Sequence, residues 1–159
     1  KKSSHIEKNE FELNELIEEI YKETKLIAPN HNVVLGENEA IHITADRNLI
    51  KEAIRVFIEN SVKYTKEGGL IELGLHYEEP YAVITVKDTG LGIAKKDLSR
   101  IFDRFYRTDE SRNKSSGGAG LGLSIAKWIA EEHKGKLTVT SELGKGSQFN
   151  ILLLASKEK

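Results

Sequence analysis

The sequence contains no cysteine and no methionine, and its two prolines are Pro29 and Pro80. Without cysteine there is no disulfide, no thiolate metal site and no cysteine nucleophile. The absence also fits a reducing cytoplasm. Without methionine, the chain is expected to be a fragment of a longer translation product. No apolar run approaches the ~20 residues of a membrane span, and the polar start KKSSHIEKNE has no signal-peptide character. Neither sign of charge dominates: 24 Lys and Arg stand against 25 Asp and Glu, a formal net charge of -1. That balance offers no electrostatic basis for binding nucleic acid or an anionic membrane surface.

What is present suffices for one domain. The 159 residues are 38% hydrophobic and 31% charged, enough to bury a real core and too apolar for disorder. Leu13, Leu16, Ile17, Ile20 and Tyr21 recur at helical spacing, Leu26 and Ile27 follow, and Pro29-Asn30 stops the helix. Residues 33–35 and 41–44 read as a short strand pair with a polar turn around Gly36 and Asn38. Asp46 is placed to cap a helix whose Leu49, Ile50, Ala53, Ile54, Phe57 and Ile58 make one wide apolar stripe. Residues 70–77 and 81–87 predict an antiparallel hairpin through Glu78-Glu79-Pro80. A short helix over 95–102, a polar glycine-punctuated stretch over 103–119 and a helix over 121–133 follow, the last closed at Gly135. Strands over 137–141 and 148–154 flank the turn Gly144-Lys145-Gly146. Helices and strands mix without strict alternation, so the expected fold is an α/β (α+β) two-layer sandwich rather than a doubly wound sheet.

The glycines carry the chemical information. Most in the second half fall into three groups: Asp88-Thr89-Gly90-Leu91-Gly92, Gly117-Gly118-Ala119-Gly120-Leu121-Gly122 and Gly144-Lys145-Gly146-Ser147. Successive free N–H groups in such stretches cradle phosphate, although each group alone reads equally well as a tight turn. No glycine stands five residues before Gly135-Lys136 or Gly144-Lys145, so there is no Walker A loop, and no set keeps dinucleotide-binding spacing. The middle group opens an amphipathic helix, which sets several N–H donors and a positive dipole end beside any bound anion.

The helix begun at Asp46 carries Asn60, Lys63 and Tyr64 along one edge of its final turns. An amide oxygen can ligate Mg²⁺, an ammonium can pair with phosphate and a phenol ring can pack on a base; a solvated polar helix end is the plain alternative. Asp88 follows an alternating run at a strand end, where a carboxylate can accept from the exocyclic amine of adenine. An Asp-Thr-Gly turn closed by its own side chain is equally compatible with the residues.

Taken in order, these pieces resemble the ATP-binding catalytic domain of bacterial two-component sensor histidine kinases, within the GHKL ATPase/kinase superfamily. The N box reads ENSVKY (59–64), the G1 box DTGLGI (88–93) and the F box IFDRFYR (101–107). The G2 box reads GGAGLGLSIAK (117–127), and GKGSQF (144–149) closes the set. Each box alone is weak; five in this order are specific. The resemblance implies a Bergerat-type fold, a mostly antiparallel sheet covered on one face by helices, with a mobile ATP lid over 103–119. It implies Mg²⁺ and ATP as cofactors. Asn60 would ligate the metal, Lys63 would contact phosphate, Tyr64 would pack on adenine and Asp88 would accept from its amine. Gly90, Gly92 and Ile93 would shape the adenine pocket, Phe102 and Phe105 would anchor the lid, and Arg107 would reach the terminal phosphate. Gly118, Gly120, Leu121, Gly122 and Leu123 would close over the phosphates.

The same resemblance implies a linker over residues 1–10, a catalytic domain over 11–159, and a separate dimerisation-phosphoacceptor domain as partner. A response regulator would be reached through the whole kinase, the isolated domain would be a monomer, and it would be the cytoplasmic part of a membrane-anchored sensor. None of the five histidines (His5, His31, His42, His76, His133) has the acidic and proline context of the family's acceptor, so they are expected to be surface or partly buried residues. One departure stands out: where many members carry a second Asn one turn before the N-box Asn, this chain has Val56. A metal there would lack one amide ligand, and no hydrolytic Glu occupies the position either. The competing functions are a nucleotide-binding regulatory module without transfer, and another ATPase or protein kinase on the same fold.

Overall fold

The computed structural model describes residues 6–103 and 121–157. Among them, five strands form one sheet in the order β2-β4-β5-β7-β6, and three form a second in the order β1-β3-β8. The large sheet comprises β2 (Asn32–Asn38), β4 (Leu70–Glu78), β5 (Tyr81–Asp88), β6 (Lys136–Glu142) and β7 (Gly146–Leu154). The small one comprises β1 (Asn9–Glu12), β3 (Ile41–Ala45) and β8 (Ser156–Lys157). Helices α1 (Leu13–Ile27), α2 (Arg47–Tyr64) and α3 (Leu121–Glu132) complete the described elements, with a single 3-10 turn at Lys95–Asp97.

The two-layer arrangement follows from where the apolar residues fall. Alternate residues Ile71, Leu73 and Leu75 of β4, Ala82, Ile84 and Val86 of β5, and Phe149, Ile151 and Leu153 of β7 are buried. Their intervening neighbours Glu72, His76, Thr85, Lys87, Gln148 and Asn150 are half-buried or exposed. A strand turns successive side chains to opposite faces, so one face of the sheet is covered and the other open. The cover is helical: Leu13, Leu16, Ile17 and Ile20 of α1 and Ile50, Ala53, Ile54, Phe57 and Ile58 of α2 recur at three- and four-residue steps and join the same core. At its centre Phe57 stacks on Phe149 with ring centroids 4.8 Å apart and planes 17° apart, a geometry that adds to simple area burial.

The helix ends are specified locally. Asp46 caps α2, its Oδ1 accepting from Leu49 N at 3.2 Å. Thr24 turns its hydroxyl back to Ile20 O at 2.7 Å, and Ala28 N bonds Thr24 O before Pro29 ends α1. Lys51 and Arg47 of α2 both meet Glu19 of α1, and these hydrogen bonds, Lys51 first, bring the Glu19 carboxyl down to about 2. The groups are partly exposed, so the network orients the two helices more than it stabilises them.

Several expectations need correcting. Residues 33–35 and 41–44 are strands, but not a pair: β2 runs parallel to β4 while β3 lies between β1 and β8. Asn14 sits at the switch of sheet: its Oδ1 accepts from Ile41 N, a backbone donor that a hairpin would have paired, and its backbone carbonyl accepts from the Asn38 side chain. Gly36 lies inside β2, at a register shift between Leu35 and Asn38. β1 starts at Asn9 and pairs with Ala45. The expected helix over 95–102 is one 3-10 turn continued by i to i+3 bonds at Arg100 N–Asp97 O and Asp103 N–Arg100 O, the tighter winding that short segments adopt. At the end of α3 the left-handed residue is Lys134, with φ 55, not Gly135. Lys134 N bonds Glu131 O and Gly135 N bonds Ala130 O, a Schellman closure; Gly135 is required instead because a Cβ there would run into Leu152 O. No helix among the described residues is long and apolar enough to cross a membrane.

Replacing Phe57 by Ala, at a position with no solvent exposure, is expected to cost about 3–5 kcal/mol of stability, read from urea denaturation. A pH dependence follows from His42 on β3, which lies 2.8 Å from Glu12 and 3.2 Å from Glu10 of β1. Those bonds, Glu12 first, raise its pKa above 6.5. The folded state thus holds the proton more tightly, so this stabilisation is complete below pH 6.5 and is lost as pH rises through the raised value. His42→Gln is expected to flatten stability against pH just above 6.5.

Candidate functional site

The polar residues converge where α2 ends, β5 ends and β7 begins. Asp88, the last residue of β5, pairs in register with Ile71 and Ser147, and its side chain faces the core with 7% exposure. Its Oδ1 accepts from Gly90 N at 2.9 Å and from Ser147 N at 3.3 Å, and its Oδ2 accepts from Ser61 Oγ at 2.7 Å. The turn reading is found here: Gly90 closes an Asp-Thr-Gly turn on the carboxylate, and a further donor comes from a helix.

Asn60, Lys63 and Tyr64 occupy the last turns of α2 on either side of Ser61, all half-buried. Lys63 Nζ lies 5.5 Å from the centre of the Tyr64 ring. The Asn60 amide makes no hydrogen bond to the described residues. Beyond it Tyr64 O accepts from Leu91 N at 3.0 Å and Thr65 O accepts from His31 Nε2 at 2.7 Å, so the loop 89–93 and His31 satisfy carbonyls at the helix end. Ile93 N donates to Ser141 Oγ at 2.7 Å, and Ser141 bonds in turn to Gly146 O and Ser147 Oγ.

The first and third glycine groups serve each other. Gly92 has φ +76, and a Cβ on it would run into Glu142 O; Gly146 has φ +137, and a Cβ on it would run into Asp88 O. With Gly144 N bonded to Leu91 O at 2.6 Å, the β6–β7 turn clasps the loop after Asp88. Phe102, expected to anchor a lid, packs edge-on against Phe149 at 6.4 Å and 80°. Leu121 and Gly122 begin α3, and Leu123 packs against the core. Phe105, Arg107, Gly118 and Gly120, with 104–119 of the expected lid, lie outside the described residues.

Sequence reasoning missed Ser61, Ser141 and Ser147. A signal for the first was available: Ser61 continues the apolar stripe at Ile50, Ile54 and Phe57, and a polar residue on a core face needs a partner. The donor set suits Mg²⁺ that arrives with phosphate. Asn60 supplies one unengaged neutral oxygen, the described residues hold no metal-binding cluster of His, Asp and Glu, and Val56 packs against the core instead of offering a ligand. Mg²⁺ commonly keeps waters and substrate phosphates in its shell, which matches so sparse a protein contribution.

A helix-covered, mostly antiparallel sheet with a buried carboxylate beside a polar helix end makes a two-layer α/β sandwich. The sequence profile of the "Histidine kinase-, DNA gyrase B-, and HSP90-like ATPase" family matches residues 45–157, and the chain belongs to that family. It is 38% identical to the sensor histidine kinase RppB of Synechocystis over 89% of this chain and 32% of that protein. It is 39% identical to the sensor protein CiaH of Streptococcus pneumoniae over 80% of this chain and 29% of that one. The chain thus spans about a third of the length of these two relatives. Among solved structures, the catalytic domain of histidine kinase ThkA superposes with a TM-score of 0.79 at 30% identity, over 94% of this chain and 98% of that one.

Gly92→Ala and Gly146→Ala each combine positive φ with a backbone collision and are expected to cost more than ~1 kcal/mol. Gly144→Ala, where an added methyl meets nothing, is expected to cost less in the same denaturation series.

Proposed function

We propose that this domain binds Mg·ATP at the Asp88 end of α2 and delivers the γ-phosphoryl group to a histidine on a separate dimerisation-phosphoacceptor domain, as one part of a two-component sensor kinase. The observation that carries the reading is the junction of Asp88 with the Asn60–Tyr64 turns through the buried Ser61–Asp88 hydrogen bond. With Asp88 as the base acceptor, that bond ties it to the helix turns that carry an amide, an ammonium and a phenol. Asp88 accepts from the 6-amino group of adenine, Tyr64 packs on the ring and Lys63 pairs with phosphate. Asn60 would hold the Mg²⁺, which supplies charge neutralisation to the phosphates. Gly118, Gly120, Leu121 and Gly122 would close over the phosphates, and Arg107 would offset charge that develops during transfer. Phosphoryl transfer depends on positioning and charge stabilisation more than on covalent help from the protein. The incoming imidazole nitrogen forms the P–N bond as the bond from the γ-phosphorus to ADP breaks. That nucleophile, and the response regulator that follows it, lie outside this domain.

Calorimetric titration is expected to show ATP bound in preference to GTP, with Asp88→Ala lowering ATP affinity roughly 10- to 100-fold, the range for losing hydrogen bonds to a charged group. Incubation with labelled ATP is expected to label an added acceptor domain and not this chain alone. Steady ATP hydrolysis without an acceptor would favour an ATPase instead; absence of ATP binding would overturn the reading.

A further inference from the structure

We infer that Ser61 is a specificity-positioning residue: with two backbone N–H groups it fixes which oxygen of Asp88 is offered to a base, and hence the hydrogen-bonding polarity of the pocket. The inference rests on reading Asp88 as the purine contact.

A serine inside a helix ordinarily turns its hydroxyl back to the carbonyl four residues earlier, as Thr24 does to Ile20 here. Ser61, with no solvent exposure, instead reaches out of α2 to Asp88 Oδ2 at 2.7 Å. The two sides of the carboxylate are therefore unlike. Oδ1 faces Gly90 N and Ser147 N, and backbone N–H groups only donate, so an atom at that position must accept. Oδ2 faces a hydroxyl, which donates or accepts as required. A carboxylate has about four acceptor positions. Both on Oδ1 are engaged and one on Oδ2 is taken by Ser61, which leaves one acceptor position, on the Ser61 side. That suits the 6-amino group of adenine.

The asymmetry makes a definite statement about an amide in place of the acid. In Asp88→Asn the two backbone N–H groups hold the amide oxygen on the Oδ1 side, so the nitrogen stands beside Ser61. The Ser61 hydroxyl rotates to accept one of its hydrogens, and the other fills the open position as a donor. The pocket then suits a 6-oxo purine. With alanine at 61 as well, an N–H of the introduced amide is buried without a partner, and the ordered inversion is lost.

The experiment is calorimetric titration of Mg·ATP and Mg·ITP into wild type, Ser61→Ala, Asp88→Asn and the double variant, each checked by thermal melting. Wild type is expected to favour ATP. Ser61→Ala should weaken ATP about five- to tenfold and narrow the ATP-to-ITP ratio. Asp88→Asn should favour ITP, and the double variant should lose that preference. Asp88→Asn still favouring ATP, or the double variant favouring ITP as strongly as the single, overturns the inference while leaving ATP binding by wild type intact. Should Asp88→Asn fail to fold, Ser61→Ala decides alone: ATP affinity and the ATP-to-ITP ratio within twofold of wild type overturn the proposal. A wild type that binds no ATP overturns both this and the reading it rests on.

Discussion

Burying a carboxylate is costly unless donors meet it, and at Asp88 the donors come from three separate stretches of chain. Ser61 belongs to α2, Gly90 to the loop after β5 and Ser147 to the start of β7. Meeting all three sets the rotation of α2 about its axis, the path of the loop and the approach of the β6–β7 turn at once. The core repeats the constraint one layer deeper. Phe57 lies one helical turn before Ser61, Phe149 lies two residues after Ser147 on the same face of its strand, and the two rings stack. The polar contact holds α2 to β5 and the aromatic contact holds it to the neighbouring strand β7, so both fix the helix on the same part of the sheet. Asn60, Lys63 and Tyr64 are aimed by that rotation, although none of the three touches Asp88 in the described contacts.

Much of this was legible in the sequence because the period of apolar residues reports burial directly. The stripe of α2, the cap at Asp46 and the alternation of β4 and β5 needed no tertiary knowledge, and each is found where the pattern put it. The failures have a common physical source: they depend on a partner distant in the chain. β2 and β3 are joined by only Glu39 and Ala40, a spacing that reads as a hairpin, but the chain crosses between sheets there, with Asn14 of α1 at the switch. β1 and β8 are too short for any pattern and exist through β3. Lys134 takes a left-handed conformation that composition assigns to Gly135, because the close approach of Leu152 O claims the glycine.

The site divides along the same line. Asp88 and the Asn60–Tyr64 edge could be singled out from residue type and spacing. Their connection could not, since the hydroxyl that joins them is 27 residues away in sequence from its acceptor. The third glycine group showed the opposite behaviour: its composition suggested a phosphate cradle, but Gly146 presses on the backbone of Asp88 and Gly144 N bonds Leu91 O. Glycine there serves the packing of one loop on another.

The three-stranded sheet has a mechanical meaning. β3 runs antiparallel to both neighbours, with Asn9 of β1 opposite Ala45 at one end and Lys157 of β8 opposite Ile41 at the other. Tension applied along the chain before β1 and after β8 would therefore pull these strands in opposite directions along β3. Antiparallel bonds stand perpendicular to the strands, so such a load falls on them together, in shear, rather than one by one as a zipper. The short sheet would thus act as a strain relief, taking up such force before the large sheet, and the carboxylate at the end of its central strand, could feel it.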